Sequence, residues 1–299
     1  MPLVEERPAS LPPDASRLQS MEFNSPADGC PVKVDIYSPS RDLGQPLPLL
    51  LAPHAITWTA AEDYHGGLQG LVRKYHRGYY GLPEKYGVIL ASPHGHHHRE
   101  TLCSLAGPEQ IADMANLIDA LGDHGYPVDK QRVYACGLSM GAQEALVLAG
   151  KHPDRIAGVV AFNPIVDLAA WHEELATSEV PGIKEYDTAR RIANEVGGLP
   201  SELPQRYAER SALNYVEELA RVPTLIFWTE KDLVVPRQIT HHTLRLYHRI
   251  KQVEASAPIA EYNHTRIHGL LEFDEVTRWQ LHEWCDYDLA LHWLLSHRK

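Results

Sequence analysis

The chain lacks the sequence features of membrane-spanning and disulfide-stabilised proteins. Within its 299 residues no apolar run approaches the ~20 residues that a membrane helix requires. The four cysteines are scattered and form no C-x-x-C pair, which indicates reduced thiols in a cytoplasmic protein. Residues 1–14 are rich in proline and contain no apolar segment beside basic residues, so we expect neither a signal peptide nor an anchor.

Blocks of basic residues are also absent. The formal net charge is −11 at pH 7, from 28 Lys and Arg against 39 Asp and Glu. Nucleic acids and anionic membranes bind proteins through clusters of positive charge, so we expect neither as a partner. The composition, 44% hydrophobic and 22% charged, is ordinary for a globular protein. Nothing in the sequence indicates an oligomeric state.

Short apolar runs alternate with helical patterns along the chain. Residues 17–23 and 32–37 predict an antiparallel hairpin. Runs that favour buried strands occur at 47–52, 86–91, 133–136, 157–162, 223–228 and 257–262. Helical patterns follow at 108–121, 142–148, 237–253 and 273–295. This alternation predicts an α/β fold with a mostly parallel central sheet and helices on both faces.

The domain organisation is predicted from the same pattern. Residues 1–16 are interpreted as a loose arm, and residues 17–299 as one α/β domain. Residues 165–218, after the sixth strand, depart from the strand–helix rhythm and form a polar, helical insertion. We interpret this insertion as a cap over a functional site, and the alternative is a solvated surface excursion.

The sharpest motif lies where the strand at 133–136 meets the following helix. Residues 137–141 read Gly-Leu-Ser-Met-Gly, the pattern of a nucleophile elbow. The two glycines allow a strained, closely packed turn that lifts the Ser139 hydroxyl above the sheet edge. The Met140 amide then points to the position where a tetrahedral intermediate carries its negative oxygen.

A nucleophilic serine needs a base, and the base needs an acid that orients it. Asp232 follows the strand at 223–228 and is the predicted acid, with Glu230 as its competitor and a turn or capping residue as the alternative interpretation. His268 follows the last strand and is the predicted base, with His264 as the alternative. The chain order of Ser, Asp and His is the order this type of fold requires.

Loops at the carboxyl ends of the strands supply further candidates. The amide of Ile56, or else that of Ala55, is the predicted second oxyanion donor. The candidates for substrate binding are His54, Trp58, His94, His96 and Trp171. Residues 94–98 are rich in histidine, but consecutive side chains point in different directions and no spaced second pair accompanies them. We therefore expect no metal and no cofactor.

These motifs together resemble the α/β-hydrolase superfamily and, within it, the catalytic domain of prolyl-oligopeptidase-like serine hydrolases. The resemblance covers residues 17–296 and depends on 128–134 leading into 137–141, on 207–215 before 223–226, on 232–236 and on 268–269. It implies a Ser139–Asp232–His268 triad. Ala142 departs from the pattern, because the family usually has a glycine there.

Three functions are compatible with this reading. The first is hydrolysis of small carboxylic esters, which we favour because the chain shows no N-terminal propeller of the kind that gates peptides in this family. The second is a peptidase or amidase with the same triad. An aminopeptidase would need acidic groups for the substrate ammonium, and residues 173–174, both Glu, are the adjacent pair in the insertion. The third is a non-catalytic ligand-binding protein on the same fold.

Overall fold

A computed structural model describes residues 16–56, 79–96, 103–179, 187–264 and 285–299. These residues form an eight-stranded sheet in the order β1-β2-β4-β3-β5-β6-β7-β8. The strands are β1 Arg17–Asn24, β2 Pro31–Ser38, β3 Leu47–Leu51, β4 Ile89–Pro93, β5 Val128–Leu138, β6 Gly158–Phe162, β7 Thr224–Trp228 and β8 Ile259–Asn263. No helix in the described ranges is long and apolar enough to cross a membrane.

The sheet is mostly parallel, as the sequence predicts. β1 and β2 form the expected antiparallel hairpin, and β2 is also antiparallel to β4. All pairs from β4 through β8 in the sheet order are parallel. The central strands β3, β4 and β6 are buried at every residue because helices cover both faces of the sheet.

Nine α-helices accompany the sheet in the described part of the chain. They are α1 Leu82–Tyr86, α2 Pro108–Asp123, α3 Met140–Lys151, α4 Leu168–Ala176, α5 Thr188–Val196, α6 Pro204–Glu209, α7 Val216–Leu219, α8 Thr243–Val253 and α9 Tyr287–Leu294. Side chains alternate between two cores along each strand. Leu49 and Leu51 pack in the core that contains α2, α3 and α8, whereas Leu50 packs in the core that contains α1 and α9.

The insertion after β6 is helical, as predicted. It contains α4 to α7 and a 3-10 helix, Ala212–Tyr215. Its helices α4, α5 and α6 share an apolar cluster with Met140 at the start of α3 and with Val235 in the loop after β7. The insertion is therefore packed against the two loops that carry the predicted nucleophile and acid.

Three predicted boundaries are wrong, each for a local reason. Tyr86 ends α1 rather than beginning a strand, because Gly87 adopts a left-handed conformation with φ 61° and stops the helix two residues before β4. The helix predicted at 237–253 begins only at Thr243, because Arg237 has φ 54° and His242 has ψ −108°, and neither value is helical. The helix predicted at 273–295 is not continuous, because Asp286 caps α9 by accepting a hydrogen bond from the Leu289 amide. Residues 273–284 lie outside the described ranges.

Candidate active site

Ser139 occupies a sharp turn between β5 and α3. Its backbone has φ 57° and ψ −117°, which is a strained conformation for a residue with a side chain. The turn is held on both sides, since the Ser139 amide donates to the Phe162 carbonyl at 2.8 Å and its carbonyl accepts from the Gln143 amide at 3.0 Å. The residue is 4% exposed. This is the geometry that the pattern at residues 137–141 predicts.

Both glycines of the motif are required by close packing. A Cβ atom at Gly137 would lie 2.4 Å from the backbone carbon of Gly141. A Cβ atom at Gly141 would lie 2.3 Å from the carbonyl oxygen of Pro53 and 2.9 Å from that of His54. Distances this short are not tolerated by backbone atoms, so the turn can close only with hydrogen at these positions.

The loop after β3 therefore lies directly against the first turn of α3. Ile56, which follows β3 by five residues, is half-buried and packs on the apolar cluster that contains Met140. Met140 is the first residue of α3, where unpaired amides and the helix dipole give partial positive charge. The two predicted oxyanion donors thus belong to segments that pack against one another.

Asp232 is buried, and four donors among the described residues hold its carboxylate. Its Oδ1 accepts from the amides of Val234 and Val235 at 3.0 and 2.7 Å. Its Oδ2 accepts from Asn163 Nδ2 at 2.6 Å and from Gln238 Nε2 at 3.4 Å. The competing acid behaves differently, because Glu230 is exposed and accepts at 3.3 Å from the side-chain amide of Asn263, on the edge strand. Of the two, Asp232 is the carboxylate with a defined orientation.

The alternative base, His264, directly follows β8. Its amide donates to the Trp228 carbonyl at 2.8 Å, which extends the pairing of β8 with β7 by one residue. Its Nε2 lies 3.2 Å from Asn163 Oδ1. The predicted base, His268, lies outside the described residues.

Asn163 is the site residue that sequence reasoning missed. It follows β6, is completely buried, and has φ 45°. Its amide group contacts both Asp232 and His264. The available signal was a polar residue at the carboxyl end of a buried strand beside the elbow strand, since the ends of neighbouring parallel strands meet at one sheet edge.

The apolar candidates for substrate binding separate into described and undescribed residues. Trp58 lies outside the described ranges. Trp171, on α4, is 1% exposed, and its indole N–H donates to the Val234 carbonyl at 2.7 Å. This bond joins the insertion to the loop that contains Asp232. Trp171 is therefore engaged within the protein, by this bond and by packing in the apolar cluster of the insertion.

The three histidine candidates all contact protein groups. His54 is 2% exposed, with its ring nitrogens 2.8 and 3.3 Å from the carbonyl oxygens of Ala55 and His94. His94 Nε2 lies 3.0 Å from Asp35, on β2.

His96 Nδ1 lies 2.7 Å from Asp113, on α2, and its Nε2 lies 3.4 Å from Asp28. Burial raises the pKa of Asp113, although its bond to His96 opposes this effect. These contacts connect the loop after β4 to the β1–β2 hairpin and to α2. Among the residues that the structure describes, no group of three or more His, Cys, Asp or Glu is arranged to hold a metal ion.

The acidic pair considered for an aminopeptidase is divided by burial. Glu173 is exposed, whereas the Glu174 side chain is 3% exposed and accepts from His241 Nδ1 and from His242 Nε2. The Nδ1 atom of His242 accepts from the Val166 amide at 3.2 Å, so the ring proton is on Nε2. Glu174 therefore fastens α4 to the turn before α8 and is not free to bind a substrate ammonium.

A buried polar network supports the elbow from below. Glu144, one turn into α3, accepts from the Ser104 hydroxyl and from Gln110. Arg210 donates to the Ser104 carbonyl at 2.8 Å. The Leu105 amide points at the Met140 sulfur, 3.5 Å away. Burial raises the pKa of Glu144 to about 7, because water is excluded from its charged form.

The order of the strands, the strained serine between β5 and α3 and the buried carboxylate after β7 define an α/β-hydrolase. The sequence profile of the prolyl oligopeptidase family matches residues 88–284, more than half of the chain. The chain belongs to this family, and the resemblance inferred from the sequence motifs is confirmed.

Individual relatives are distant. Over 126 residues the chain is 25% identical to YtmA, an uncharacterized peptidase of Bacillus subtilis (strain 168), a match that covers 42% of this chain and 44% of that protein. The matched segment thus spans less than half of that relative's length.

Solved structures extend the likeness of the fold to nearly the whole chain. An S-formylglutathione hydrolase from Agrobacterium tumefaciens superimposes with a TM-score of 0.63 at 16% identity and covers 97% of this chain and 99% of that one. The uncomplexed Pyrococcus horikoshii acylaminoacyl peptidase gives a TM-score of 0.62 at 16% identity, covering 93% of this chain and 41% of that one. At this identity the comparison shows the fold.

Replacing Gly141 by alanine is expected to destabilise the protein by about 1–3 kcal/mol, because the added methyl group would overlap the Pro53 carbonyl and push the loop from α3. Urea unfolding measures the effect. The matched control is Gly122→Ala on α2, where a Cβ atom meets nothing within 4 Å. Higher helix propensity should stabilise that variant by about 0.5–1 kcal/mol. Equal stabilities for the two variants would contradict the packing argument.

Glu144 should make stability depend on pH. In the unfolded chain its carboxyl ionises near the ordinary value of 4.5, while in the folded protein it keeps its proton to about 7. The folded state therefore binds more protons in this window, so the free energy of unfolding falls as pH rises from about 4.5 to about 7. The contribution is on the order of 1–3 kcal/mol.

Glu144→Gln should make this fall shallower while keeping an acceptor for Ser104. Part of the slope should remain, because burial also raises the pKa of Glu195 to about 7. The measurement is urea unfolding between pH 4.5 and pH 8. Glu217→Gln, at an exposed site on α7, is the control and should keep the wild-type slope. An unchanged slope for Glu144→Gln would show that its carboxyl ionises normally in the folded protein.

Proposed function

We propose that the chain is a serine hydrolase that cleaves carboxylic esters of small substrates through an acyl-enzyme intermediate on Ser139. The proposal depends on the backbone of Ser139. Its φ of 57° is unfavourable for a residue with a side chain, and packing alone does not require it. Strain of this kind is retained where a side chain must be presented in one direction. Here the turn presents a hydroxyl at the N-terminus of α3.

The roles follow from the chemistry of acyl transfer. Ser139 Oγ attacks the ester carbonyl while His268 accepts its proton, and Asp232 orients the imidazole and stabilises its charged form. The amides of Met140 and Ile56 donate to the oxyanion of the tetrahedral intermediate. His268 then returns the proton to the leaving alcohol. Water, deprotonated by the same histidine, releases the acid and restores the serine.

Two observations favour an ester as the substrate over a peptide that is bound through its N-terminal ammonium group. Glu174, the interior member of the acidic pair in the insertion, already accepts from two histidines, so it supports no ammonium site. The superposition with the S-formylglutathione hydrolase extends over 99% of that chain, and this likeness supports using that hydrolase as a guide to the substrate class. We propose a small ester or short acyl compound as the partner.

A peptidase or amidase is the second candidate. It is favoured by the family match and by the likeness to an acylaminoacyl peptidase. Its chemistry would use the same serine, acid and base, and the difference would be in the leaving group that the site accepts. A non-catalytic binding protein is the third candidate, and it would leave the strain at Ser139 without a purpose.

We also propose a cytoplasmic location. All four cysteines lie in described ranges and form no disulfide there, and three of them are buried, which suits a reducing compartment. Burial raises the pKa of the Cys103, Cys136 and Cys285 thiols, so these groups stay protonated and unreactive.

Ser139→Ala should abolish ester turnover, with a fall in kcat of about 10⁴-fold or more, while the protein stays folded. Hydrolysis of short p-nitrophenyl esters and labelling by a fluorophosphonate measure the loss. The control is Ser201→Ala, in an exposed turn of the insertion, which should hydrolyse and label like the wild type. Turnover retained by Ser139→Ala would refute the assignment of the nucleophile.

The same assays separate the three candidates. Faster turnover of aminoacyl anilides than of esters by the wild-type protein would support the peptidase. Absence of both labelling and turnover would support the binding protein. His268→Ala should lose activity to the same extent as Ser139→Ala, and a full rate in that variant would remove His268 from the mechanism.

A further inference from the structure

The ends of β6, β7 and β8 bring three polar side chains into one chain of hydrogen bonds. Asn163 Nδ2 donates to Asp232 Oδ2 at 2.6 Å, and His264 Nε2 lies 3.2 Å from Asn163 Oδ1. The backbone N–H of Asn163 donates to the Phe227 carbonyl at 2.7 Å, so the residue is anchored to the neighbouring strand. The side chain is completely buried, which makes these contacts strong and costly to lose.

The partners determine how the side-chain amide is oriented. A carboxylate only accepts hydrogen bonds, so the nitrogen of the amide must face Asp232. The oxygen then faces His264, and its partner there must be an N–H group. Nε2 of His264 is therefore a donor in this arrangement, and a nitrogen that carries a proton cannot take one from Ser139. In a neutral ring this contact leaves Nδ1 as the acceptor, so Nε2 of His264 is not the atom that could act as a general base.

The backbone conformation of Asn163 indicates that the position of its side chain is required. Its φ of 45° is in the left-handed region, which asparagine tolerates better than most residues with a side chain. This conformation carries the side chain off the end of β6 toward the loop after β7. A strained residue whose buried side chain is hydrogen-bonded through both its nitrogen and its oxygen indicates a requirement for its position.

We propose that Asn163 is a positioning residue for the proposed acid, and that His264 holds its amide in the orientation that donates to Asp232. This inference rests on the proposed function, because the carboxylate matters for catalysis only if it orients an imidazole. Val234 and Val235 fix Oδ1 of the carboxylate, and Asn163 makes the shorter of two hydrogen bonds to Oδ2, at 2.6 Å against 3.4 Å for Gln238. Loss of the Asn163 donor loosens Oδ2 and shifts the carboxylate, which misplaces the base and lowers kcat with little effect on KM.

Asn163→Gly tests the side chain without straining the backbone, since glycine accepts φ 45°. We expect kcat for a p-nitrophenyl ester to fall about 10- to 100-fold, with KM changed less than threefold. Asp187→Gly is the matched control, because Asp187 is exposed on the insertion and has φ 47°. It should keep the wild-type kcat. An unchanged kcat in Asn163→Gly overturns the proposal.

Asn163→Asp provides a readout that simple structural damage would not give. In its protonated form the new carboxyl group at residue 163 donates a hydrogen bond to Asp232, as the amide does. When ionised, it repels the Asp232 carboxylate. The titratable side chains that contact residue 163 in the described structure are Asp232 and His264. The ratio of its kcat to that of the wild type should therefore fall as pH rises from 6 to 9, while the ratio for Asn163→Gly stays constant. A constant ratio for both overturns the donor role.

His264 is tested by a conservative exchange. His264→Gln retains an N–H donor and should keep most of the wild-type kcat, whereas His264→Ala should lose activity as Asn163→Gly does. A loss of about 10⁴-fold in His264→Gln would instead make His264 the base and overturn this assignment.

Wild-type turnover is measured first. An inert wild-type protein would refute the proposed function, whereas an active one with an indifferent residue 163 would refute the positioning role alone.

Discussion

The turn at Ser139 is the constraint on which the surrounding structure depends. A residue at φ 57° between a buried strand and a buried helix is unfavourable in isolation, so its neighbours must impose it. They do so by contact. The carbonyls of Pro53 and His54 lie against Gly141, and the backbone of residue 141 lies against Gly137. The loop after β3 and the elbow can therefore occupy their positions only together.

The buried polar groups near this turn are hydrogen-bonded to one another. Glu144 is completely buried, and the hydroxyl, amide and guanidinium groups around it reduce the free energy that burial costs. Leu105 and Ala106, two successive residues with positive φ, are held by the same network, since the Leu105 amide points at the Met140 sulfur and the Ala106 backbone is hydrogen-bonded to Glu144. Strain in the elbow is thus accompanied by strain in the loop that supports it. Both segments are buried, so the packing around them holds these conformations.

The insertion is joined to the site by specific polar contacts as well as by apolar packing. Trp171 donates to the Val234 carbonyl, next to the carboxylate of Asp232, and Glu174 accepts from the histidines before α8. These bonds connect α4 to the loop after β7 at two points. Helix α4 and the segment that carries the proposed acid are therefore held together by hydrogen bonds as well as by packing.

The sequence by itself determined the α/β class, the mostly parallel sheet, the hairpin of β1 and β2, the helical insertion and the turn at Ser139. Each of these depends on interactions between residues close in the chain, such as apolar periodicity and the small residues at 137 and 141. Helix ends were less predictable, because the cap at Asp286 and the left-handed Gly87 compete with an apolar pattern that continues past them. Only the tertiary structure decided that Trp171, Glu174, His94 and His96 are engaged by distant protein groups. It also brought Asn163 between Asp232 and His264, since that contact joins residues 69 and 101 positions apart and exists only when the ends of β6, β7 and β8 are assembled in one sheet.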